Sequence, residues 1–172
     1  MLYYKVFEIQ DYEKMSRTEL AEFEHTVGRN TLKILLNLHF GITEYEILIG
    51  EHGKPYLNID GIFFNISHSK GVVICVVATE NVGVDIERID KGMSTERMYM
   101  LANRYFTQAE FDEFARKDFD AKCFFTLWPR KEAISKCLGT PLGTNLSICS
   151  EEYSAVTSTC ENGYVYSIAR NI

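Results

Sequence analysis

The chain lacks paired cysteines, a long apolar run and an excess of basic residues, and each absence argues against a class of protein. Its five cysteines are scattered over 172 residues with no C-x-x-C pair. An odd, dispersed set disfavours a disulfide framework or a structural zinc site, so a reducing, cytoplasmic setting is expected. No apolar run approaches the length that spans a bilayer, and the segment MLYYKVFEIQDYEK shows no signal-peptide pattern. A membrane protein is therefore not expected.

The formal net charge is −6, so the chain offers no overall basic field of the kind that nucleic-acid binders usually show. A local basic groove remains compatible with this total. The hydrophobic fraction of 46% is ordinary for a folded protein. A chain of this length can form one compact domain or two small packed lobes without covalent staples.

The first half of the chain reads as one helix among strands. LYYKVFEI alternates like a strand, and residues 16–40 carry apolar residues near helical spacing, with Gly28 as a point where the helix could split and Gly41 as its end. IFFNIS and GVVICVVAT predict strands. VGVDIERI predicts a further strand, expected as the antiparallel neighbour of the one before it.

The second half again combines helices and strands. Ser94 is placed to cap one helix, and Thr107 with Glu110 has the spacing of a capping box for the next. DAKCFFTLWPRKEAISKCLG predicts a helix pair or one bent helix, with Pro129 in a first turn. The C-terminal segment is strand-like, with Asn162-Gly163 as a hairpin turn. Together the halves predict an α+β fold with two lobes.

The stretch GVDIERI places two carboxylates on a strand that is otherwise apolar. Asp85 and Glu87 are two residues apart, so a strand directs both to the same face. They repel each other unless a positive charge lies between them. One interpretation is an edge strand with both groups in solvent. The other is a divalent-cation site, and an all-oxygen set favours Mg²⁺ over Ca²⁺.

A second polar motif, WPRKEAISKCLG, could supply a third carboxylate. On a helix Trp128, Glu132 and Lys136 lie at i, i+4 and i+8, roughly on one face. The simpler interpretation is a surface Glu–Lys pair. The alternative makes Glu132 a metal ligand, with Lys131 and Lys136 beside it as phosphate contacts.

Other candidates are weaker individually. Ser67 and His68 in FNISHS are adjacent, which does not favour a nucleophile–base pair, although His68 could contact a phosphate or hydroxyl. Ser69 is interpreted as a turn or capping residue. Lys54 lies in GKP, where a rigid turn could aim it. Arg29 and Lys33 share a helical face and could grip a phosphate or simply be solvated.

The order of these motifs is more specific than any of them alone. GKP, FNISHS, VGVDIE, RYFTQAEF and W-x-x-KEA-x-x-K-x-x-G follow one another between about Arg29 and Gly139. This series resembles the 4′-phosphopantetheinyl transferase superfamily, in particular its two-lobed, Sfp-type branch. The resemblance implies two similar α+β lobes related by a pseudo-twofold axis. We assign residues 1–90 to the N-terminal lobe and residues 91–172 to the C-terminal lobe.

The resemblance also implies an activity. Enzymes of this family transfer the 4′-phosphopantetheine arm of coenzyme A to a serine of an apo acyl or peptidyl carrier protein, and 3′,5′-ADP leaves. Mg²⁺, or Mn²⁺ in its place, is the expected cofactor, and coenzyme A and the carrier protein are the expected partners. Neither nucleic acid nor membrane is an expected partner. The branch is expected to be monomeric, because one chain supplies both lobes.

The site residues follow by resemblance. The implied metal ligands are Asp85, Glu87 and Glu132, and Glu132 is also the first choice for the general base. Lys136 is expected to stabilise the leaving phosphate as a cation. The implied coenzyme A contacts are Arg29, Lys54, Ser67, His68, Lys131 and Lys136, with Lys33 able to share the role of Arg29.

Two positions depart from the family pattern. Pro129 stands where Ser or Thr often follows the tryptophan, and Lys70 stands where glycine is frequent. Two other functions stay open on the sequence alone. One is a different Mg²⁺-dependent phosphoryl enzyme, such as a nucleotide hydrolase. The other is a non-catalytic module that binds coenzyme A or a carrier protein.

Overall fold

The computed structural model describes residues 1–90, 92–142, 156–159 and 162–170. The first part of the chain forms β1 (Leu2–Glu8), α1 (Arg17–Phe40), β2 (Ile47–Ile49), β3 (Pro55–Leu57), β4 (Phe63–Ser69), β5 (Val72–Ala78) and β6 (Val82–Arg88). The second part forms α2 (Thr95–Tyr105), α3 (Gln108–Arg116), α4 (Ala121–Leu138), β7 (Val156–Thr159) and β8 (Tyr164–Arg170). The α+β class predicted from the sequence is confirmed.

Two antiparallel sheets form the centre of the molecule. The first has the order β1-β5-β4 and the second the order β6-β8-β7, while β2 and β3 form a separate two-stranded hairpin. In both sheets the last strand along the chain lies in the middle. A helix packs on the outer face of each sheet, since α1 covers β5 and α4 covers both β6 and β8.

The inner faces of the sheets meet in a core of buried aliphatic and aromatic side chains contributed by β5, β6 and β8. Val72, Ile74 and Val76 belong to this core, whereas Cys75 and Val77 on the other face of β5 pack against α1. Both faces of β5 are therefore buried, which is why its sequence is apolar at every position.

The partner predicted for β6 is wrong. β6 pairs with β8, in a register that places Asp85 opposite Ser167, and β5 belongs to the other sheet. A strand turn alone does not decide pairing, because ENVG can lead the chain into a second sheet as well as back along the first. β6 thus belongs to the same sheet as the C-terminal strands, although the division at residue 90 counts it with the N-terminal lobe. That division stays a prediction.

The helix limits follow the capping signals. Ser16 and Glu19 form a capping box at the start of α1, and Gly41 ends it in a left-handed conformation with φ 69°. The helix is not split at Gly28. A Cβ atom there would lie 2.8 Å from Ile66 Cγ2, so close packing against β4 explains this glycine. Ser94 caps α2, and the predicted capping box of Thr107 and Glu110 begins α3.

The helix α4 is one continuous element, and Pro129 lies in its interior rather than in a first turn. The prediction of a first-turn proline is therefore wrong. A proline at this position removes one backbone donor from the helix. Asp120 caps the start of α4, and Gly139 ends it with φ 69°.

The C-terminal hairpin is only partly described. β7 and β8 pair antiparallel, and Gly163 in the predicted turn has φ 74°. Residues 143–155 and 160–161 of the predicted strand-like segment lie outside the described residues. Among the helices that are described, none is long and apolar enough to cross a bilayer.

Candidate active site

The strand β6 and the helix α4 pack unusually closely, and this contact brings their polar residues together. A Cβ atom at Gly83 would lie 2.1 Å from the carbonyl oxygen of Ala133 and 2.2 Å from the backbone nitrogen of Cys137. Only glycine therefore lets α4 rest on the backbone of β6. Val84 and Ile86 face the core, and Asp85 and Glu87 face the opposite side, as the strand period predicts.

A cluster of polar side chains forms where β4, β6 and α4 meet. Asp85 is 2% exposed, and its Oδ1 accepts hydrogen bonds from Ser67 Oγ at 2.8 Å and from Lys136 Nζ at 2.5 Å. Lys136 Nζ lies 3.7 Å from Glu132 Oε2, one helical turn away. Asp85, Glu132, Lys136 and Ser67 thus converge from three elements. Glu87 lies at the edge of this cluster, close enough for the Asp85 charge to act on it.

Burial changes the acidity of two members of the cluster. Desolvation, followed by the Asp85 charge, raises the pKa of Glu132 to about 7. Desolvation is also the main cause that raises the pKa of Glu87, and its hydrogen bond from Ser69 opposes this. Near neutral pH the Glu132 carboxyl is therefore poised between its two protonation states.

The donor set fits a hard divalent cation. Asp85 Oδ2 is buried and has no hydrogen-bond partner, which is costly for a carboxylate oxygen unless a cation binds it. Oxygen-only donors of this kind suit Mg²⁺. Within the described ranges, however, no three His, Cys, Asp or Glu side chains are already arranged around one point as metal ligands. Lys136 occupies the space beside Asp85, so the carboxylates would have to close by side-chain rotation.

The Lys54 ammonium group donates hydrogen bonds to three oxygen atoms of the protein. Its Nζ donates to Asn81 Oδ1 at 2.7 Å, to the Cys137 carbonyl at 2.9 Å and to the Val82 carbonyl at 3.1 Å. Cys137 lies in the last turn of α4, where a cation interacts favourably with the unpaired carbonyl groups. The ammonium group joins the β2–β3 hairpin to the start of β6 and the end of α4. Lys54 also lines a cavity of about 440 Å³, so its expected contact with the nucleotide stays a prediction.

Lys131 does not join the cluster either. Its Nζ lies 2.8 Å from Glu110 Oε2 on α3, and both side chains are almost fully buried. Lys131 precedes Glu132 by one residue, and successive helical residues point about 100° apart. The pair holds α4 against α3 and leaves Lys131 away from Asp85.

His68 is held by a residue that the sequence analysis did not single out. Its Nδ1 lies 2.9 Å from Glu24 Oε2, and Glu24 Oε1 accepts a hydrogen bond from the backbone nitrogen of Gly71 at 2.8 Å. Glu24 is a buried carboxylate on α1. It orients the imidazole and leaves Nε2 as the nitrogen available to a ligand. In the sequence, Glu24 is a charged residue at the helical spacing of the buried positions of α1, and this could have indicated its role.

The two basic residues of α1 lie apart from the cluster. Arg29 is partly buried, and its charge acts on the Tyr45 phenol. Lys33 is exposed. Neither makes a hydrogen bond or ion pair with Asp85, Glu132 or Lys136 in the described part of the chain.

Arg88 links three segments around the turn after β4. Its guanidinium group contacts Glu8 Oε1 at 3.0 Å, the Lys70 carbonyl at 3.1 Å and the Asn162 carbonyl at 3.1 Å. Lys70 stands where glycine is frequent, yet the turn still forms, because Lys70 itself adopts φ 45° and Gly71 follows it at φ 80°.

Two cavities flank the cluster. One, of about 440 Å³, is lined by Lys136 together with residues of the β2–β3 hairpin and β4, among them Pro55 and Asn65. The other, of about 400 Å³, is lined by Glu87, Glu132 and Trp128. Glu87 and Glu132 therefore line a cavity with an aromatic wall that also carries Lys70 and Arg97, and Lys136 lines the other cavity.

Comparison with known proteins supports one family. The model of the 4′-phosphopantetheinyl transferase superfamily matches residues 81–163, which include Asp85, Glu87 and Glu132. The 4′-phosphopantetheinyl transferase Sfp of Bacillus subtilis is 36% identical over 99 residues. These matches support the 4′-phosphopantetheinyl transferase superfamily as the family of the matched segment. Within it, the relatives support the Sfp-type branch that the order of the motifs predicted.

The superfamily relatives are longer than the matched part of this chain. The match to Sfp covers 56% of this chain and 42% of Sfp. The transferase gsp of Aneurinibacillus migulanus is 37% identical over 91 residues, which are 52% of this chain and 36% of gsp. The transferase AcpT of Salmonella typhimurium is 33% identical over 121 residues, 67% of this chain and 62% of AcpT. The chain thus spans half or less of the length of Sfp and gsp.

Proposed function

We propose that the protein transfers the 4′-phosphopantetheine arm of coenzyme A to a serine hydroxyl of an apo acyl or peptidyl carrier protein, releasing 3′,5′-ADP. The observation that carries this proposal is the cluster of Asp85, Glu132 and Lys136 between two cavities, with Glu87 at its edge. The family of the matched segment supplies the reaction class, and the cluster supplies the groups that this reaction requires.

Mg²⁺, or Mn²⁺ in its place, would be held by Asp85, Glu87 and Glu132. The unpartnered Asp85 Oδ2 supports this assignment most directly. When bound, such a cation neutralises charge on phosphate oxygens during displacement at phosphorus. In its absence Lys136 supplies the positive charge between the carboxylates, since Nζ contacts both Asp85 and Glu132.

Glu132 is the group best suited to take the proton of the attacking serine. Without a bound cation, burial raises the pKa of Glu132 to about 7, and a cation at this carboxylate would lower it again, so the assignment rests on the position of the carboxyl group. The carboxyl also lines the cavity with the aromatic wall, from which a carrier serine could approach. Lys136 lies on the other side and would stabilise charge on the leaving phosphate.

Coenzyme A would occupy the cavity beside Lys136. Ser67 and His68 come from β4, which borders this cavity, and His68 Nε2 is oriented by the Glu24 contact at Nδ1. Arg29 and Lys33 remain candidates for an outer phosphate. Lys54 and Lys131 are assigned instead to holding β6, α3 and α4 in place, because their ammonium groups already have buried or partly buried protein partners.

The shared strand order of the two sheets supports the proposal of two lobes related by a pseudo-twofold axis. Each sheet would be the centre of one lobe, with β6 counted in the second. One chain would then supply both walls of the cleft and act as a monomer. A cytoplasmic location is part of the same proposal, because carrier proteins and coenzyme A are met there.

The proposal is tested by incubating the protein with coenzyme A, Mg²⁺ and apo carrier proteins of fatty-acid, polyketide and non-ribosomal-peptide synthesis, and recording intact masses. A gain of one phosphopantetheine on at least one carrier is expected. A folded protein that loads no carrier would contradict the proposal. Release of 3′,5′-ADP without any carrier would favour a hydrolase, and binding of coenzyme A without turnover would favour a binding module.

A further inference from the structure

Three polar side chains of β4 bridge to β6, although the two strands belong to different sheets. Asn65, Ser67 and Ser69 occupy every second position, so they share one face of β4. Each accepts a hydrogen bond from a backbone N–H group of β6, from Val84 to Asn65 at 2.9 Å, from Ile86 to Ser67 at 3.3 Å and from Arg88 to Ser69 at 3.4 Å. Side-chain hydrogen bonds thus take the place of backbone hydrogen bonds between β4 and β6, and we call this row of contacts the seam.

The two serines make a second contact that Asn65 does not share. Ser67 Oγ donates to Asp85 Oδ1 at 2.8 Å, and Ser69 Oγ donates to Glu87 Oε2 at 2.7 Å. A hydroxyl carries one proton and can accept as well as donate. Because the backbone N–H group occupies an acceptor site, the hydroxyl proton is free to point at the carboxylate. The two serines therefore hold β6 in place and also orient the carboxylates of Asp85 and Glu87.

We infer that Ser69 is a positioning residue, which holds the Glu87 carboxylate in the orientation needed to bind the divalent cation. The inference rests on the proposed metal role of Glu87. Within the described ranges Ser69 is the one side chain that donates a hydrogen bond to Glu87. Partners of this kind orient metal-ligating carboxylates, and their removal typically weakens metal binding by about 10- to 100-fold.

Ser69 is a cleaner probe of this role than Ser67. Ser67 also contacts Lys136 Nζ at 3.1 Å and is assigned to coenzyme A binding, so its removal would change several interactions. Within the described ranges Ser69 forms hydrogen bonds with the Glu87 side chain and the Arg88 backbone, and with no other residue. A change at Ser69 therefore alters the carboxylate without removing a substrate contact.

The test is a titration of the full chain with Mn²⁺ in the presence of coenzyme A, followed by electron paramagnetic resonance of free and bound Mn²⁺. Ser69→Ala is expected to weaken Mn²⁺ binding about tenfold, and Ser69→Thr, which keeps the hydroxyl, is expected to restore it. The KM for Mg²⁺ in carrier loading should rise in Ser69→Ala more than kcat falls. If Ser69→Ala does not fold, Ser69→Cys, with a poorer donor of similar size, takes its place.

The matched control is Asn65→Ala, which removes a seam contact with no carboxylate partner and is compared with Ser69→Ala in the absence of coenzyme A, because Asn65 lines the cavity proposed for that substrate. It is expected to lower the melting temperature while Mn²⁺ affinity changes less than in Ser69→Ala. Wild-type affinity in a folded Ser69→Ala variant would overturn the inference, and so would equal losses in Asn65→Ala and Ser69→Ala. If the wild-type protein loads carriers but binds no Mn²⁺, the metal role itself fails and the inference with it.

Discussion

Glu132 shows how strongly the surroundings of one residue determine its chemistry. From sequence spacing it could have been half of an exposed Glu–Lys pair, of the kind that changes helix stability by a few tenths of a kcal/mol. In the fold it is partly buried beside Asp85, and the pKa of its carboxyl rises to about 7. The same residue is then suited both to metal binding and to proton transfer.

This raised pKa predicts how stability depends on pH without metal. Between about pH 4.5 and pH 7 the folded Glu132 binds more protons than the unfolded one, so its contribution to stability is present at low pH and is lost as pH rises through about 7. Glu132→Gln should therefore match the wild type near pH 4.5 and exceed it at pH 8, by up to about 3 kcal/mol.

Urea unfolding of the metal-free proteins at both pH values measures this difference. Glu113→Gln, which removes an exposed carboxylate on α3, is the matched control for the loss of one negative charge. A stability difference between wild type and Glu132→Gln that stays constant from pH 4.5 to pH 8 would contradict the account of Glu132.

Lys54 gives a second prediction at the residue scale. Lys54→Met should lower the free energy of unfolding by about 2–3 kcal/mol, because the carbonyl of Val82 loses a charged donor and that of Cys137 loses one of its donors. Thermal melting and the Kd for coenzyme A, measured on the same samples, check it. A weaker Kd at unchanged melting temperature would instead assign the amine to the nucleotide.

At the scale of elements, the contact of α4 with β6 determines whether a site forms at all. The carboxylates come from a strand and a helix that are far apart in sequence, and Gly83 permits their close approach. Pro129 lies inside the helix that carries Glu132, yet α4 continues through it. The tertiary contacts of α4 with α2, α3 and three strands outweigh the missing donor.

Gly83→Ala should therefore be severe. Its Cβ atom would overlap backbone atoms of α4, which cannot move aside singly, so we expect a loss of about 3 kcal/mol or more and loss of carrier loading. Gly28→Ala is the comparison variant, because its Cβ atom would meet a side-chain methyl group, Ile66 Cγ2 at 2.8 Å, whereas the Cβ atom at position 83 would meet backbone atoms at 2.1 and 2.2 Å. Melting temperatures of both variants check this, and equal, small losses would contradict the packing argument.

At the scale of the whole molecule, the sequence predicts those features that depend on the residue pattern within a single helix or strand. The strand period places Asp85 and Glu87 on one face, and capping residues set the ends of α1, α2 and α3. The helical period likewise places Glu132 and Lys136 together. The α+β class follows because each of these patterns is contained within one element.

What depends on a partner far along the chain was not predictable. The pairing of β6 with β8 requires strands separated by α2, α3 and α4. The contacts of Lys131 with Glu110 and of His68 with Glu24 depend on which helix packs nearby. Motif order indicated candidate residues for the site, but it did not indicate that one of the candidate lysines, Lys131, forms a buried ion pair.

If the carboxylate cluster is the site of phosphopantetheine transfer, carrier loading depends on both Asp85 and Mg²⁺. The rate of carrier loading, followed by intact mass at increasing Mg²⁺ for wild type, Asp85→Asn and the control Glu113→Gln, tests this. We expect Mg²⁺-dependent loading by the wild type and Glu113→Gln, and a loss of at least 100-fold (a barrier increase of about 2.7 kcal/mol) in a folded Asp85→Asn. Loading by Asp85→Asn at the wild-type rate, or wild-type loading that does not respond to Mg²⁺ and its removal by chelator, would contradict the claim.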